Sequence, residues 1–307
     1  MWTDARIAAL DIGGTAIKSA LWQQGVLSRV QECPTPVASA KALVEKAVEL
    51  LRDMGPVDAV GVCTRGQVDG EGRILHDNGP VPDYTGTPLQ ALLEDALGVP
   101  VLVENDTNAA AWGEARQGAG RGCADFLCLT FGTAVGGGLI LNDRLYRGVN
   151  RSAGEFGCMQ LFSQKPAWEG PGGAYYETMA STTALVKAAR QVDPTVQNGR
   201  ELCARLDEPN LSAVADHWVE QVSWGLSSLI HIFNPALLVL GGGIMQNEAL
   251  FRRIDACVRS QLLPGFEVVT LKPALLGNRA GLIGVALLAE EHIRLTDRKN
   301  IVSASNR

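Results

Sequence analysis

The chain has 307 residues, 46% of them hydrophobic and 20% charged, which suffices for roughly two globular domains of about 150 residues each. Its net charge of −6 argues against a nucleic acid partner, because such binding needs a basic surface. No apolar run reaches the roughly 18 residues of a membrane span, and no signal-peptide pattern opens the chain. Seven cysteines without a CxxC pair indicate reduced thiols, so we expect a cytoplasmic protein that binds no membrane.

The first 118 residues alternate between strand-like and helix-like patterns. Apolar residues recur at helical spacing in residues 39–54, and Gly98 closes a second helical stretch. Helices between apolar strands are typical of an α/β fold in which they serve as crossovers. The predicted order is three strands ("RIAALDI", "IKSALW", "VLSRVQEC"), helix ("SAKALVEKAVELLRDM"), strand ("VDAVGVC"), helix ("TPLQALLEDALG"), strand ("VPVLVEN") and helix ("TNAAAWGEARQG").

The stretch "LDIGGTAIKSALW" places Asp11 at the end of a predicted strand and follows it with Gly13, Gly14 and Thr15. Paired glycines cost backbone entropy and leave nothing to pack, so a strand interior gains nothing from them. A tight hairpin and a phosphate-binding turn both remain open on these residues alone.

The same arrangement returns in residues 129–149, again as strand, glycine turn, strand, polar turn and strand. A shift of 119 positions places Gly13 on Gly132 and Leu21 on Ile140. Few residues are identical, so the repeat rests on the order of the elements and on the glycine turn. It predicts two related lobes, each of which offers a glycine hairpin to a shared cleft.

Asp106 lies in "VLVENDTNAAAWGEA", between a predicted buried strand and the start of a helix. In open α/β sheets, ligands bind at the carboxyl ends of the strands. Asn105 is equally consistent with a cap of that helix and with a ligand contact.

A strand in residues 236–247 ends in three glycines, which would let a flat ring or a ribose approach the backbone closely. The chain lacks the GxxxxGK[ST] phosphate loop, and no GxGxxG follows its first strand, as a dinucleotide fold would require.

Six motifs in chain order resemble the ROK family of sugar kinases and related repressors, within the actin/hexokinase superfamily. The resemblance extends from about Ala8 to Ala289. Its motifs are "DIGGTAIK" and "GTAVGGGLILNDRLYRG" for phosphate, "ENDTNAAAWGEA" for catalysis, "AGEFG" for sugar, "VLGGGI" for adenosine and "RAGLIGVALLA" for the closing helix.

This resemblance implies a two-lobed α/β fold, the actin-like (ribonuclease H-like) ATPase fold, with the active site in the cleft between the lobes. The expected N-terminal lobe comprises residues 1–115 and a C-terminal helix at about 280–293. Residues 116–279 would form the second lobe, and 294–307 a polar tail without helical periodicity.

The implied activity is ATP- and Mg²⁺-dependent phosphorylation of a sugar 6-hydroxyl by a homodimer, with N-acetylmannosamine, glucose or a β-glucoside as substrate. Asp106 would accept the hydroxyl proton, and Asp11 would hold Mg²⁺ directly or through water. The implied nucleotide-binding residues are Asp11, Gly13, Gly14, Thr15, Lys18, Gly132, Thr133, Gly136, Gly241, Gly242 and Gly243. The implied sugar-binding residues are Gly66, Asn78, Asn105, Asp106, Glu155 and Glu177.

Three interpretations remain open beside this one. Lys18 could form a structural ion pair rather than a phosphate contact. A sugar-responsive regulator of the same family would carry a DNA-binding segment ahead of "DIGGT", where only ten residues precede Asp11. A sugar-binding protein without catalysis is the third, although the presence of both Asp11 and Asp106 argues against it.

Three residues depart from the family pattern. Ala134 replaces a frequent second glycine, which puts a left-handed turn there in doubt, and Arg65 replaces a frequent proline. Cys158 stands where the family commonly has a zinc-binding histidine, and the cysteines of that site are replaced by Trp168, Gly170 and Tyr175. We therefore expect no zinc, because a structural zinc needs about four N or S ligands. Packing of Trp168, Tyr175 and Tyr176, with Pro171, would hold the loop instead.

Overall fold

The computed structural model describes residues 4–161 and 175–305 and shows a mixed α/β chain. The chain divides into two compact units. The N-terminal unit consists of Met1–Arg116, Arg147–Ala153 and Asn278–Arg307. The C-terminal unit consists of Gln117–Tyr146 and Gly154–Gly277.

The N-terminal unit is built on a five-stranded sheet in the order β3-β2-β1-β4-β7. The first three strands are antiparallel, whereas β4 and β7 run parallel to β1. All eight predicted elements of this unit are confirmed. The strands are β1 (Ile7–Ile12), β2 (Ala16–Gln23), β3 (Val26–Pro34), β4 (Ala59–Thr64) and β7 (Val101–Asn105), with a small hairpin of β5 (Gln67–Val68) and β6 (Ile74–His76). The helices are α1 (Ala40–Asp53), α2 (Leu89–Leu97), α3 (Asp106–Gln117) and α9 (Ala280–Ser305).

Local sequence explains where the crossover helices begin and end. The hydroxyl of Ser39 accepts a hydrogen bond from the Ala42 N–H (3.1 Å) and so caps the start of α1. The apolar face of α1 is buried in the core against the sheet. Helix α2 ends at Gly98, whose φ of 70° is the left-handed conformation that glycine adopts without strain.

The C-terminal unit contains a second five-stranded sheet in the order β10-β9-β8-β11-β12. Its first three strands pair antiparallel, and β11 and β12 continue it in parallel, so both sheets share one topology. The predicted repeat is therefore confirmed at the level of strand order. The strands are β8 (Phe126–Phe131), β9 (Val135–Leu141), β10 (Arg144–Tyr146), β11 (Leu237–Gly241) and β12 (Thr270–Pro273). The helices are α4 (Tyr176–Ala180), α5 (Thr182–Val192), α6 (Gly199–Ala204), α7 (Pro209–Phe233) and α8 (Glu248–Gln261).

The register of the two hairpins corrects the predicted alignment by one residue. Ile7 pairs with Trp22 in the first sheet, and Phe126 pairs with Ile140 in the second. The shift of 119 positions therefore holds for β1 and β8, but the counterpart of Ile140 is Trp22 rather than Leu21. The reason is that the second glycine turn is one residue shorter than the first.

The polar turns that follow are equivalent in both sheets. Gln24 and Gly25 have φ values of 50° and 83°, and Asn142 and Asp143 have values of 53° and 58°. Two consecutive residues with positive φ form the short turn whose twist matches that of antiparallel strands.

Helix α9 packs closely against β1, β4 and β7 because glycines remove side chains at the contact. A Cβ on Gly61 of β4 would lie 2.5 Å from the Val285 carbonyl oxygen, and one on Gly284 would overlap the Ala109 carbonyl. On the sheet side, the buried indole of Trp22 donates to the Glu290 carboxylate (3.1 Å). The contact with the Ala109 carbonyl explains Gly284 of the closing-helix motif.

Helix α9 continues to Ser305, so most of the polar tail expected at 294–307 is helical. Extending a helix that has already formed adds one hydrogen bond per residue without a new nucleus, so a polar sequence can continue it. Within the described residues, α9 and the other helices are all too short or too polar to cross a membrane.

We expect Gly284→Ala to lower the midpoint of thermal unfolding. The new methyl group would overlap the Ala109 carbonyl, and overpacking of this kind costs about 1–3 kcal/mol. Gly70→Ala is the matched control, since the nearest atom to its new Cβ would be 4.0 Å away. Differential scanning calorimetry of the two variants measures both shifts. Equal midpoints would contradict the close packing of α9.

Candidate active site

The first glycine turn, Gly13 to Ala16, joins β1 to β2. The Gly13 N–H donates to the Ala16 carbonyl (3.0 Å), and a Cβ on Gly13 would lie 2.8 Å from that oxygen. Thr35 donates hydrogen bonds to two other carbonyl oxygens of the turn. Its N–H donates to the Thr15 carbonyl (3.0 Å), and its hydroxyl donates to the Gly13 carbonyl (2.7 Å). The shape of the turn is therefore fixed by hydrogen bonds within the unit.

The second glycine turn, Gly132 to Ala134, joins β8 to β9 and is closed by a bond from the Gly132 N–H to the Ala134 carbonyl (3.0 Å). All residues of both turns are described, and none of them has a positive φ. Ala134 is therefore accommodated without backbone strain, and no left-handed residue is used there. Gly136 lies in β9 opposite Thr130, beyond the turn itself.

The carboxyl ends of β1, β4 and β7 bring chemically important residues to one edge of the first sheet. Asp11 pairs with Cys63 in register, and Thr64 pairs with Asn105. The Nζ of Lys18 lies 3.8 Å from the Asp11 carboxylate. This geometry supports the ion-pair interpretation of Lys18, and its contact with phosphate stays a prediction.

Burial raises the pKa of Asp11, and the positive charge of Lys18 opposes this only in part. The Cys63 thiol is buried and hydrogen-bonded to Asp11. Burial, followed by the negative charges of Asp11 and Asp106, holds the pKa of Cys63 well above its usual range. The thiol is therefore a neutral donor beside Asp11. Cys63 was not predicted as part of the site, although its position at the end of the apolar strand "VDAVGVC" was an available signal.

Asp106 is the first residue of α3, and Asn105 caps the first turn of that helix. The Oδ1 atom of Asn105 accepts from the Thr107 N–H (2.9 Å), the Thr107 hydroxyl (2.7 Å) and the Asn108 N–H (3.1 Å). Its Nδ2 donates to the Gly66 carbonyl (2.9 Å). The structure therefore confirms that Asn105 caps α3, and its contact with a sugar stays a prediction.

Glu104 is an unpredicted component of this edge, and its side chain is 0% exposed. Its Oε2 accepts from Arg147 Nε (2.6 Å) and Arg151 Nη2 (2.9 Å). Its Oε1 accepts from the Asn105 N–H (3.0 Å) and from Asn108 Nδ2 (3.2 Å). One carboxylate therefore joins the Arg147–Ala153 segment to the residues around Asp106. A glutamate within the apolar strand "VLVEN" was the available signal.

Gly66 and Asn78 lie in the loops after β4 and β6. Gly66 has a φ of 83°, and a Cβ there would be 2.6 Å from the His76 carbonyl oxygen. Only glycine fits this approach without a change of backbone. Asn78 is exposed, next to Asp77, which forms an ion pair with Arg65.

The predicted sugar loop of the C-terminal unit, "AGEFGC", packs directly on β9. Gly154 has a φ of 102°, and its Cβ would lie 2.6 Å from the Gly137 carbonyl oxygen. The buried Phe156 ring occupies the space that a side chain at Gly137 would need. Gly157 would place a Cβ 2.9 Å from the Glu177 carboxylate. Gly137 of β9 and the loop glycines Gly154 and Gly157 therefore serve close packing.

Glu155 and Glu177 are both close to Cys158. Partial burial, assisted by these two carboxylates, raises the pKa of the Cys158 thiol. Glu155 is exposed and Glu177 is half-buried in the first turn of α4. In the part of the chain that the structure describes, no three His, Cys, Asp or Glu side chains form a metal-binding group.

Aromatic side chains pack beside the segment that carries Glu177. Tyr176 is buried, and its hydroxyl donates to the Val222 carbonyl (2.6 Å). The Phe131 ring meets those of Tyr176 and Trp218 edge-on, at centroid distances of 6.4 and 6.5 Å. Tyr175 is half-buried beside Gln160. Trp168, Gly170 and Pro171 lie outside the described residues.

A cavity of about 1250 Å³ opens beside the second glycine turn, within the C-terminal unit. Gly132 and Thr133 form one side of it, and the starts of α5 and α8 form others. Its described lining includes three cations and no carboxylate. The cations are Lys187, Arg190 and Arg200.

The three glycines that end β11 differ in role. Gly242 has a φ of 101°, and a Cβ there would overlap the Phe131 carbonyl. Gly241 packs on Thr130, with 3.2 Å from its Cβ position to the methyl group. Gly243 has open space around it and lies in the cavity lining. The backbone thus approaches the cavity at Gly243, while Gly241 and Gly242 hold β11 against β8.

Two sheets of one topology, each with a glycine turn after its first strand, define an actin-like α/β fold. The model of the ROK family matches residues 7–292, and the chain belongs to that family. The resemblance inferred from the motifs is thereby confirmed.

Characterised relatives cover nearly the whole chain. A glucokinase of Streptomyces coelicolor is 32% identical over 308 residues, which span 92% of this chain and 96% of the relative. A beta-glucoside kinase of Listeria innocua is 30% identical, with 94% and 99% covered. The solved ROK family glucokinase from Streptomyces griseus, in complex with glucose and AMPPNP, is 31% identical, with a TM-score of 0.81 and 93% and 99% covered.

Glu104→Gln should destabilise the protein strongly. It leaves two arginines facing a neutral amide, and removing one partner of a buried ion pair costs about 3 kcal/mol. Glu248→Gln is the matched control, because Glu248 and Arg252 form a pair whose side chains are 79% and 74% exposed. Urea denaturation would measure both. A Glu104→Gln variant as stable as the wild type would contradict this role.

Proposed function

We propose that this protein is an ATP-dependent kinase that transfers the γ-phosphate to the 6-hydroxyl of a hexose-type sugar. The observation that carries the proposal is the shared sheet edge of Asp11 and Asp106: Asp11 lies in β1, Asp106 directly follows β7, and β4 pairs with both strands. Membership of the ROK family, with a glucokinase and a beta-glucoside kinase among the relatives, supports this chemistry.

The donor side would be ATP. The cavity beside Gly132 is large enough for a nucleotide, and its cations and helix starts suit an anionic ligand. Amides of the glycine turns at Gly13, Gly14, Thr15, Gly132 and Thr133 would cradle phosphates. The relative from Streptomyces griseus binds the ATP analogue AMPPNP.

The fold also implies Mg²⁺, and the residues present fit it. Magnesium is usually held by one or two carboxylates together with substrate phosphates and water. Asp11 offers a carboxylate whose raised pKa shows that its negative charge is poorly compensated. A bound Mg²⁺ would neutralise charge on the phosphate oxygens.

Asp106 would receive the proton of the attacking hydroxyl. Phosphoryl transfer passes through a loose transition state, so the protein mainly positions groups and compensates charge. Gly66, Asn78, Asn105, Glu155 and Glu177 would orient the sugar, since paired acceptors recognise hydroxyl groups well.

The proposal includes catalysis without zinc. A structural zinc needs about four N or S ligands, and Trp168, Gly170 and Tyr175 stand where the resembled family has cysteines. Tyr176 supplies packing under the loop instead. We infer N-acetylmannosamine, glucose and β-glucosides as the first substrates to test.

A coupled assay of ADP release with a panel of sugars tests the proposal. We expect turnover with at least one of glucose, N-acetylmannosamine and a β-glucoside. EDTA should abolish this activity, and Mg²⁺ alone should restore it. A regulator or an inactive sugar-binding protein would bind sugar without releasing ADP. That result across the panel would refute the kinase.

Asp106→Asn should lower kcat by about 10²- to 10⁴-fold, the range for loss of a general base. Sugar affinity should change only a few-fold, because the amide keeps the size and the polar contacts of the carboxylate. Asp95→Asn, on the exposed face of α2, is the control. Steady-state kinetics and calorimetric titration with sugar measure the two effects. A kcat within tenfold of wild type would reduce Asp106 to a helix-terminal residue.

A further inference from the structure

Arg65 lies against the first glycine turn. Its N–H donates to the carbonyl of Ile12, the last residue of β1 (3.4 Å). Its Nη1 lies 3.3 Å from the position that a Cβ of Gly14 would take.

The other end of the same side chain holds the loop after β6. The guanidinium forms an ion pair with Asp77, whose side chain is only 3% exposed. It also covers Gly79 so closely that a Cβ there would overlap it. The Asp77 carboxylate accepts a second hydrogen bond, from the Gly79 N–H (3.2 Å). Asn78 therefore lies between Asp77 and Gly79 in the sequence, and Arg65 contacts both of these neighbours.

This loop is also anchored on its far side. The Thr85 hydroxyl accepts a hydrogen bond from the Asp77 N–H (3.0 Å) and donates one to the Asp77 carbonyl (3.2 Å). Pro80 approaches Gly14 as well, with 3.9 Å between its Cδ and the Cβ position of that glycine. The Asp77–Pro80 segment thus has a defined place against the turn, and Arg65 is the charged connection between them.

We propose that Arg65 is a positioning residue for the acceptor sugar, which fixes Asn78 relative to the first glycine turn. The inference rests on the proposed function, because Asn78 is assigned to the sugar there. A planar guanidinium can bond a carboxylate and lie flat on a glycine at the same time, which a lysine ammonium cannot do. Asp77 neutralises the charge of Arg65, so this arginine acts through the loop rather than on the phosphate.

Three variants break this connection at different atoms. Arg65→Ala removes the guanidinium, Asp77→Asn weakens the ion pair, and Gly79→Ala displaces the guanidinium without changing any charge. Each should raise the sugar KM and the calorimetric sugar Kd by about 10- to 100-fold, the cost of a misplaced contact. The KM for ATP should change by less than about threefold, because the first glycine turn keeps its own hydrogen bonds, from the Gly13 N–H and from Thr35, when Arg65 is changed.

Two comparisons separate positioning from general damage. The double variant Arg65→Ala/Asp77→Asn should be no worse than the poorer single variant, since both remove one connection. Arg65→Lys should recover only part of the sugar affinity. Arg73→Ala is the control, because Arg73 is an exposed residue at the start of β6 that pairs with Glu71. A lower kcat with unchanged sugar Kd in Arg65→Ala, and a normal Asp77→Asn variant, would overturn the proposal.

Hydrogen exchange tests the connection without any ligand. The Gly79 amide is bonded to the Asp77 carboxylate, and Arg65→Ala should speed its exchange by about tenfold or more. Exchange in β1 and β4 should stay at the wild-type rate. Unchanged exchange at Gly79 would refute the role of Arg65 even if the wild type phosphorylated no sugar. Faster exchange without any kinase activity would instead refute the proposed function alone.

Discussion

The N-terminal unit depends above all on the buried carboxylate of Glu104. A charge removed from water is tolerated only when hydrogen bonds and opposite charges replace its hydration. Glu104 has both, from two arginines, one backbone amide and one side-chain amide. These four bonds fix the end of β7, the first turn of α3 and the Arg147–Ala153 segment together. The position of Asp106 follows, because it is the first residue of α3 and directly follows Asn105.

Asp11, at the same sheet edge, differs from Glu104 in how its negative charge is compensated. Asp11 is largely buried, and Lys18 at 3.8 Å compensates its charge only in part, so its pKa is raised. Such a carboxylate destabilises the folded chain above its ordinary pKa, and a bound cation would remove that cost. The cavity of the C-terminal unit has the opposite character, with three cations in its described lining. The N-terminal unit thus presents a partly compensated carboxylate, and the C-terminal unit a cavity lined with cations.

The hairpins β1–β2 and β8–β9 show that one strand arrangement can be formed by two different sequences. Strand order, antiparallel pairing and the polar turn are equivalent in the two sheets, but the second glycine turn is one residue shorter. Ala134 fits because the shorter turn uses no positive φ. Other glycines are required where one backbone closely approaches another: Gly61, Gly154, Gly242 and Gly284.

The sequence by itself determined the elements, the repeat and the family, because these depend on local patterns. Helical periodicity, caps and glycine turns are read within about 20 residues, and six motifs in order identify the ROK family. Only the tertiary structure decided which polar side chains are partners. Glu104 is joined to Arg147 and Arg151 across more than 40 positions, and Arg65 meets Asp77 and Gly14 from opposite directions. The pKa of Asp11 and the continuation of α9 were equally beyond the sequence. Burial sets the pKa of Asp11, and the preceding turns of α9 allow that helix to continue. Neither effect is a property of the residues themselves.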